Sequence, residues 1–156
     1  MPLRSTVLHE IAERRAADIA AELGSATFDE LLAKAADGPR RREVAGRFAR
    51  AGLHLIAEIK RSSPSAGKLA TKRLNVGERA RAYQAGGASM ISVLVEPHWF
   101  GGSIKDLRSA RAATTLPVLA KEFVVDERQL PLLRAAGADA VLLLAALHPK
   151  TRLARL

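Results

Sequence analysis

Leu55–Lys68 reads LIAEIKRSSPSAGK. Leu55, Ile56, Ala57 and Ile59 form a short apolar run with β-branched residues, as in a strand buried in a parallel sheet. Glu58 and Lys60 interrupt its end. Side chains alternate across a strand, so these two point to one face. Burying a carboxylate and an ammonium is costly unless they pair or meet a charged ligand. The run then breaks into Ser62-Ser63-Pro64-Ser65-Ala66-Gly67, a small, hydroxyl-rich loop that lets backbone approach an anion. Such a strand end suits an active site at the C-terminal end of a barrel strand. A lone E-x-K is more often a solvated end with a weak ion pair. What tips the reading is Val118-Leu119-Ala120-Lys121-Glu122-Phe123, a second β run after a proline that ends in a lysine and a glutamate. Two strand ends with inward-facing charge point to one site.

Outward from this stretch the chain repeats strand, turn and helix. Strand one is expected over Leu55–Lys60, followed by a long loop to about Val76 and a helix over Gly77–Ala85. Strand two covers Ala88–Val95, a second helix Ile104–Ala113, strand three Pro117–Phe123, a third helix Asp126–Ala136 and strand four Ala140–Leu147. Pro149–Leu156 begins another helix. Residues 85–94 (AGGASMISVL) echo residues 135–144 (AAGADAVLLL), which links strand two to strand four. Alternating β and α with glycine-ended helices specifies a parallel sheet with right-handed crossovers. No G-x-G-x-x-G follows a strand, which weakens a dinucleotide-binding reading.

Upstream, Leu8, Ile11, Ala12, Ile19 and Leu23 form a helical stripe over Val7–Leu23, with Ser5 or Thr6 as N-cap. A short helix, Phe28–Ala36, begins after Ser25 or Thr27 and closes at Gly38-Pro39. Residues 39–53 read as an irregular basic linker or a poor helix. The expected organisation is a helical extension and linker over 1–53, then four βα units over 54–156.

The 156 residues suffice for one domain with a sizeable core, but an eight-stranded α/β barrel typically needs ~250. The chain has no cysteine, which excludes disulfides and thiolate metal sites, and its histidines show no metal-ligand spacing. No apolar run reaches the ~20 residues of a membrane span, and no signal-peptide core is visible; a cytoplasmic protein is expected. The net charge of +9 raises nucleic acid as a partner. Its distribution argues against that: residues 1–50 hold 9 basic and 8 acidic side chains, and residues 51–156 hold 16 and 8, spread over several elements. The one dense run, Arg40-Arg41-Arg42, has no interleaved aromatics for base stacking.

Four ordered motifs, LIAEIKRSSPSAG, SVLVEPHWFGGS, PVLAKEFVVD and AGADAVLLL, resemble indole-3-glycerol phosphate synthase, a (β/α)₈ barrel. The resemblance runs from about Val7 to Leu147 and implies a truncated half barrel with an N-terminal helical extension. It implies ring closure and decarboxylation of 1-(2-carboxyphenylamino)-1-deoxyribulose 5-phosphate, in tryptophan biosynthesis, without metal or cofactor. It maps the catalytic lysine, a general acid toward the substrate carbonyl, onto Lys121, its acidic partner onto Glu58, and the lysine holding the substrate carboxylate onto Lys60. Ser63 matches the serine of a substrate-approaching loop, and Phe100 and Phe123 match aromatic positions around the anthranilate ring. Val95 stands where the family often has threonine, and Ala120-Lys121-Glu122 replaces the commoner Arg/Cys-Lys-Asp. The family's strand-five glutamate, strand-six asparagine and phosphate-binding loops have no counterpart in these residues.

The chemistry supports those residue types independently. Attack of an aromatic ring on a ketone builds negative charge on oxygen, which calls for a proton donor or cation. A lysine between apolar walls loses its charge more easily and is then a usable acid. Each residue also has a plainer reading: Lys121 as a snorkelling strand-end lysine, Phe100 and Phe123 as core. His98 and Trp99 read as loop surface. Two other functions stay open, another phosphosugar barrel such as an isomerase and an inactive basic half-barrel binding module. The partners expected are a phosphosugar small molecule, no nucleic acid and no membrane, with self-association through the open strand-four edge.

Overall fold

The computed structural model describes residues 6–65, 67–69 and 74–156. Ser5, one of the two expected caps, and Ala66 of the hydroxyl-rich loop lie outside them. Helix α1 spans Val7–Leu23, α2 Phe28–Ala36 and α3 Ala45–Phe48. Strand β1 (Ile56–Ile59) is followed by a small antiparallel hairpin of β2 (Ser62–Ser63) and β3 (Gly67–Lys68). Then come α4 (Val76–Ala85), β4 (Met90–Leu94), α5 (Ile104–Ala113), β5 (Val118–Lys121), α6 (Gln129–Ala135), β6 (Ala140–Val141) and α7 (Lys150–Leu153).

The four long-range strands form one parallel sheet in the order β1-β4-β5-β6. Each strand lies beside the next of the four in sequence, as in successive βα units of a barrel. Helices α4, α5 and α6 cover one face. Ala57, Ile59, Ile91, Val93, Val118 and Ala120 point into that layer and pack with Val76, Ala80, Leu107, Ala110 and Leu133. The alternate positions Ile56, Glu58, Leu119 and Lys121 lie on the other face and are half-buried or exposed. One face therefore holds the core and the other holds the charge.

Strand ends differ from the sequence reading. The apolar run expected as strand four pairs only over Ala140–Val141, and residues 145–147 form a 3₁₀ turn. The β5–β6 register ends at Ala120↔Val141, one residue before β5 does, because the chain turns away from β5 toward the 3₁₀ turn. The long loop after β1 contains the β2–β3 hairpin, which no periodicity announced. The third helix starts at Gln129 rather than Asp126, because the Gln129 side chain accepts from the N–H groups of Val125 and Asp126 and holds them in a turn.

The N-terminal segment wraps the sheet from top to bottom. Helix α1 crosses the C-terminal ends of β4 and β5, where Arg15 meets Glu122 and Asp18 meets His98. The α1–α2 turn is held by Arg128, which donates to the Gly24 and Ala26 carbonyls. A capping box between Thr27 and Glu30 starts α2, which packs along α6. Residues 39–44 then cross the opposite end of the sheet. There Asp139 accepts from the Arg42 N–H at 2.6 Å, from the Val118 N–H at 2.9 Å, and from the Arg111 guanidinium. Arg42 itself donates to the Leu116 carbonyl at 2.7 Å. In the dense arginine run Arg42 is thus a structural clamp. Gly137 has φ +100°, and a Cβ there would stand 2.6 Å from Arg111 Cγ, so this glycine leaves room for the cluster. No helix among the described residues is long and apolar enough to cross a membrane.

Candidate active site

Because β1 and β5 run parallel in one sheet, their C-terminal ends share one end of it. The register sets Glu58 opposite Ser92 and Lys121 opposite Leu94, with β4 between them. Long side chains close that gap. Glu58 Oε1 lies 2.9 Å from Lys60 Nζ, and Oε2 lies 2.5 Å from Lys121 Nζ. One carboxylate thus bridges two ammonium groups. Burial pushes the Glu58 carboxyl up, but hydrogen bonds from Lys121 and Lys60 outweigh it and hold the group below the ordinary carboxylate value. Lys121 keeps 39% of its side chain exposed. It is held by a carboxylate, whereas the sequence reading gave it apolar walls.

Glu122 does not join this group. Alternation along β5 sends it away from Lys121, to a position 1% exposed beneath α1. Its Oε2 takes Arg15 Nη2 at 2.9 Å, and its Oε1 accepts the Phe123 N–H at 2.8 Å. Burial pushes the Glu122 carboxyl up, with Arg15 opposing and the charge of Glu96 adding to the rise. The second strand end thus contributes one inward charge, Lys121, and one outward anchor.

Phe100, in the loop after β4, and Phe123, two residues past Lys121, face each other with ring centroids 6.3 Å apart and planes tilted by 33°. Phe123 is buried and Phe100 half-buried. The hairpin carrying Ser63 is tied to the same place: Ser62 Oγ donates to the Trp99 carbonyl at 2.9 Å and the Ser62 N–H to the Phe100 carbonyl at 3.3 Å. Ser63 is half-buried and pairs in register with Gly67. A cleft of about 180 Å³ is lined by Glu58, Lys60, Leu69, Leu74, Arg79 and Tyr83. A wider cavity of about 650 Å³ shares Leu74 with it and lies at the first turns of α4 and α5, where Arg61 is taken up by Asp106 at 2.7 Å.

Sequence reasoning missed four side chains here: Arg15, Glu96 and the His98–Asp18 pair. Arg15 sits in an ordinary helical stripe, and nothing local marks it. Glu96 is a carboxylate just past the mostly apolar run Met90–Val95, and that placement is the signal of a buried acceptor. His98, read as surface, is 2.7 Å from Asp18 although its side chain is 41% exposed.

The charge arrangement sets a pH dependence. Glu58 sits below its ordinary value, as does Asp126, which accepts hydrogen bonds from Arg128. A carboxylate lowered on folding stabilises the fold above its unfolded value, about 4, and that contribution is lost as pH falls through the lower folded value. The contribution of these two groups to the melting temperature should therefore hold level from pH 7 to about 5 and decline below that. Glu58→Gln should flatten part of the decline; an unchanged acid limb in thermal melts would contradict the bridged geometry.

A family model described as indole-3-glycerol phosphate synthase matches residues 8–156. A protein of that description from Mycobacterium avium (strain 104) is 46% identical over 142 residues, covering 91% of this chain and 52% of that protein. One from Mycobacterium tuberculosis (strain ATCC 25618 / H37Rv) is 44% identical with the same coverage. The chain spans about half the length of the curated relatives it matches. Sheet order, charged strand ends and these matches agree: the chain belongs to the indole-3-glycerol phosphate synthase family and forms part of its (β/α)₈ barrel.

Proposed function

We propose that this chain carries the proton-donating side of an indole-3-glycerol phosphate synthase, a carboxy-lyase of the cytoplasm. The observation that carries the reading is the Glu58 carboxylate bridging Lys60 and Lys121. The aryl ring of 1-(2-carboxyphenylamino)-1-deoxyribulose 5-phosphate lies against the two phenylalanines, and Lys60 holds its carboxylate. The ring carbon bearing that carboxylate attacks the ketone carbon. The carbonyl oxygen gains negative charge, and the Lys121 ammonium supplies the proton. Loss of CO₂ returns the bonding electrons to the ring; the resulting hydroxyl then leaves as water, taking up one proton while the neighbouring CH₂ gives up one, and the new C=C bond completes the indole. Glu58 orients both lysines and takes up positive charge as the donor cycles. Ser63 approaches the substrate from the hairpin.

Holding reactants in reactive geometry contributes ~7–11 kcal/mol. The groups that grip the phosphate and the second carboxylate of the family belong to strands five to eight, outside the four present here. On this reading residues 54–156 are the first four βα units and residues 1–53 their helical cover. The free edges of β1 and β6 are where further strands dock, and in their absence a second copy pairs there.

Incubation of residues 1–156 with the carboxyphenylamino substrate, followed by indole fluorescence, should show no turnover above buffer. Co-expression with the C-terminal half of the Mycobacterium avium relative should restore it. Turnover by the purified chain alone would show that four strands suffice, and no turnover from a stable, co-purifying pair would defeat the catalytic reading. Light scattering on the lone chain should show a species larger than 16.7 kDa; a clean monomer would remove the edge-pairing claim.

A further inference from the structure

We propose that Glu96 is a positioning residue: its buried carboxylate folds residues 98–100 into the turn that seats Phe100 against Phe123. The inference rests on the reading of that aromatic pair as the wall of the aryl pocket. Glu96 follows β4 and is 0% exposed. Its Oε1 accepts the His98 N–H at 2.8 Å, and its Oε2 accepts those of Trp99 at 2.8 Å and Phe100 at 3.0 Å. Its own carbonyl accepts the Gly102 N–H at 2.9 Å. Among the described residues no side-chain cation pairs with it. Three successive backbone dipoles meet the charge instead, an anion-holding nest with the anion supplied by the chain.

The turn is close-fitting as well as hydrogen-bonded. A Cβ on Gly102 would lie 2.2 Å from the Leu94 carbonyl oxygen, so only glycine lets the loop return against the strand. The carbonyls of Trp99 and Phe100 point outward from the turn to accept from Ser62. One carboxylate therefore sets the place of Phe100 and, through Ser62, of the hairpin that carries Ser63. A buried acceptor that loses its geometry leaves N–H groups unpaired. Glu96→Gln turns half of the acceptor into a donor that faces other donors, and the turn must open.

Trp99 is the single tryptophan and lies inside this turn, so it reports the turn directly. The test measures two quantities on residues 1–156: acrylamide quenching of Trp99, and energy transfer from Trp99 to the fluorescent probe N-(2-carboxyphenyl)glycine. With far-UV circular dichroism unchanged, Glu96→Gln should raise quenching and weaken probe binding on the order of tenfold to a hundredfold. Should the glutamine variant not fold, Glu96→Asp keeps the charge but shortens the reach by one methylene, and it should lose probe affinity in the same way. Wild-type affinity in whichever variant folds, or unchanged quenching, would overturn the proposal. If the wild-type chain does not bind the probe, the aryl-pocket reading fails and the seating role with it, whatever the quenching shows.

Discussion

In a barrel completed with its C-terminal half, Lys121→Met should lower turnover roughly 10²–10⁴-fold, the range expected for loss of a positioned proton donor. The substitution keeps an unbranched chain of similar length, so the packing near Phe123 is largely retained. Lys121 is 39% exposed at the strand end, and its main partner is Glu58. Removing its charge therefore leaves Glu58 with Lys60 at 2.9 Å and does not strand a buried anion. The melting temperature should change little. Steady-state kinetics separates the roles: a donor acting on the forming alkoxide changes kcat, with KM nearly preserved. A loss confined to KM would make Lys121 a binding residue, and near-normal turnover would end the general-acid assignment. Loss of cooperative melting would instead identify a structural lysine.

Arg15→Met should be the most destabilising single change away from the charged trio, costing about 3–5 kcal/mol. Arg15 is 3% exposed and reaches Glu122 across 107 residues of sequence, while its Nη1 lies 2.9 Å from Glu22. Taking the guanidinium away leaves the Glu122 carboxylate buried with only the Phe123 N–H to meet it. For a domain of this size that cost corresponds to a fall in melting temperature on the order of 10 °C. The sign of its pH dependence follows from Glu122, which burial already pushes above its ordinary value. A carboxyl raised on folding contributes stability below its unfolded value and loses it as pH rises through the folded one. Without Arg15 the rise is larger, so the variant should be closest to wild type near pH 5 and furthest from it near pH 8. Glu122→Gln placed on Arg15→Met should recover much of the loss. Thermal melts of the four proteins of this cycle measure the coupling, and additive losses would show that the pair is not a unit.

Local pattern determined the repeating part of this protein. The helical stripe of α1 and the Thr27 cap fixed both N-terminal helices at their observed ends, since a helix is set by contacts within four residues. The run Met90–Leu94 is apolar except for Ser92 because the strand is buried on both faces, and that is readable without knowing its neighbours. Period two along β1 placed Glu58 and Lys60 on one face, and parallel order then placed Lys121 at the same end of the sheet. The family likeness rests on the same motifs. What the sequence did not hold was anything set by a partner far along the chain. The length of β6 is set by where the chain leaves β5 for the 3₁₀ turn at 145–147. The direction of Glu122 is settled by alternation, but its use as an anchor needs Arg15 from a helix more than a hundred residues earlier. Residues 39–44 looked irregular because their order comes from Asp139 and the Leu116 carbonyl, not from their own pattern. The role of Glu96 likewise depends on a turn that forms only when Gly102 closes against Leu94. Hydrophobic period and cap chemistry are local and can be read in order; ion pairs and ladder lengths are fixed by whichever groups the packed sheet brings within reach.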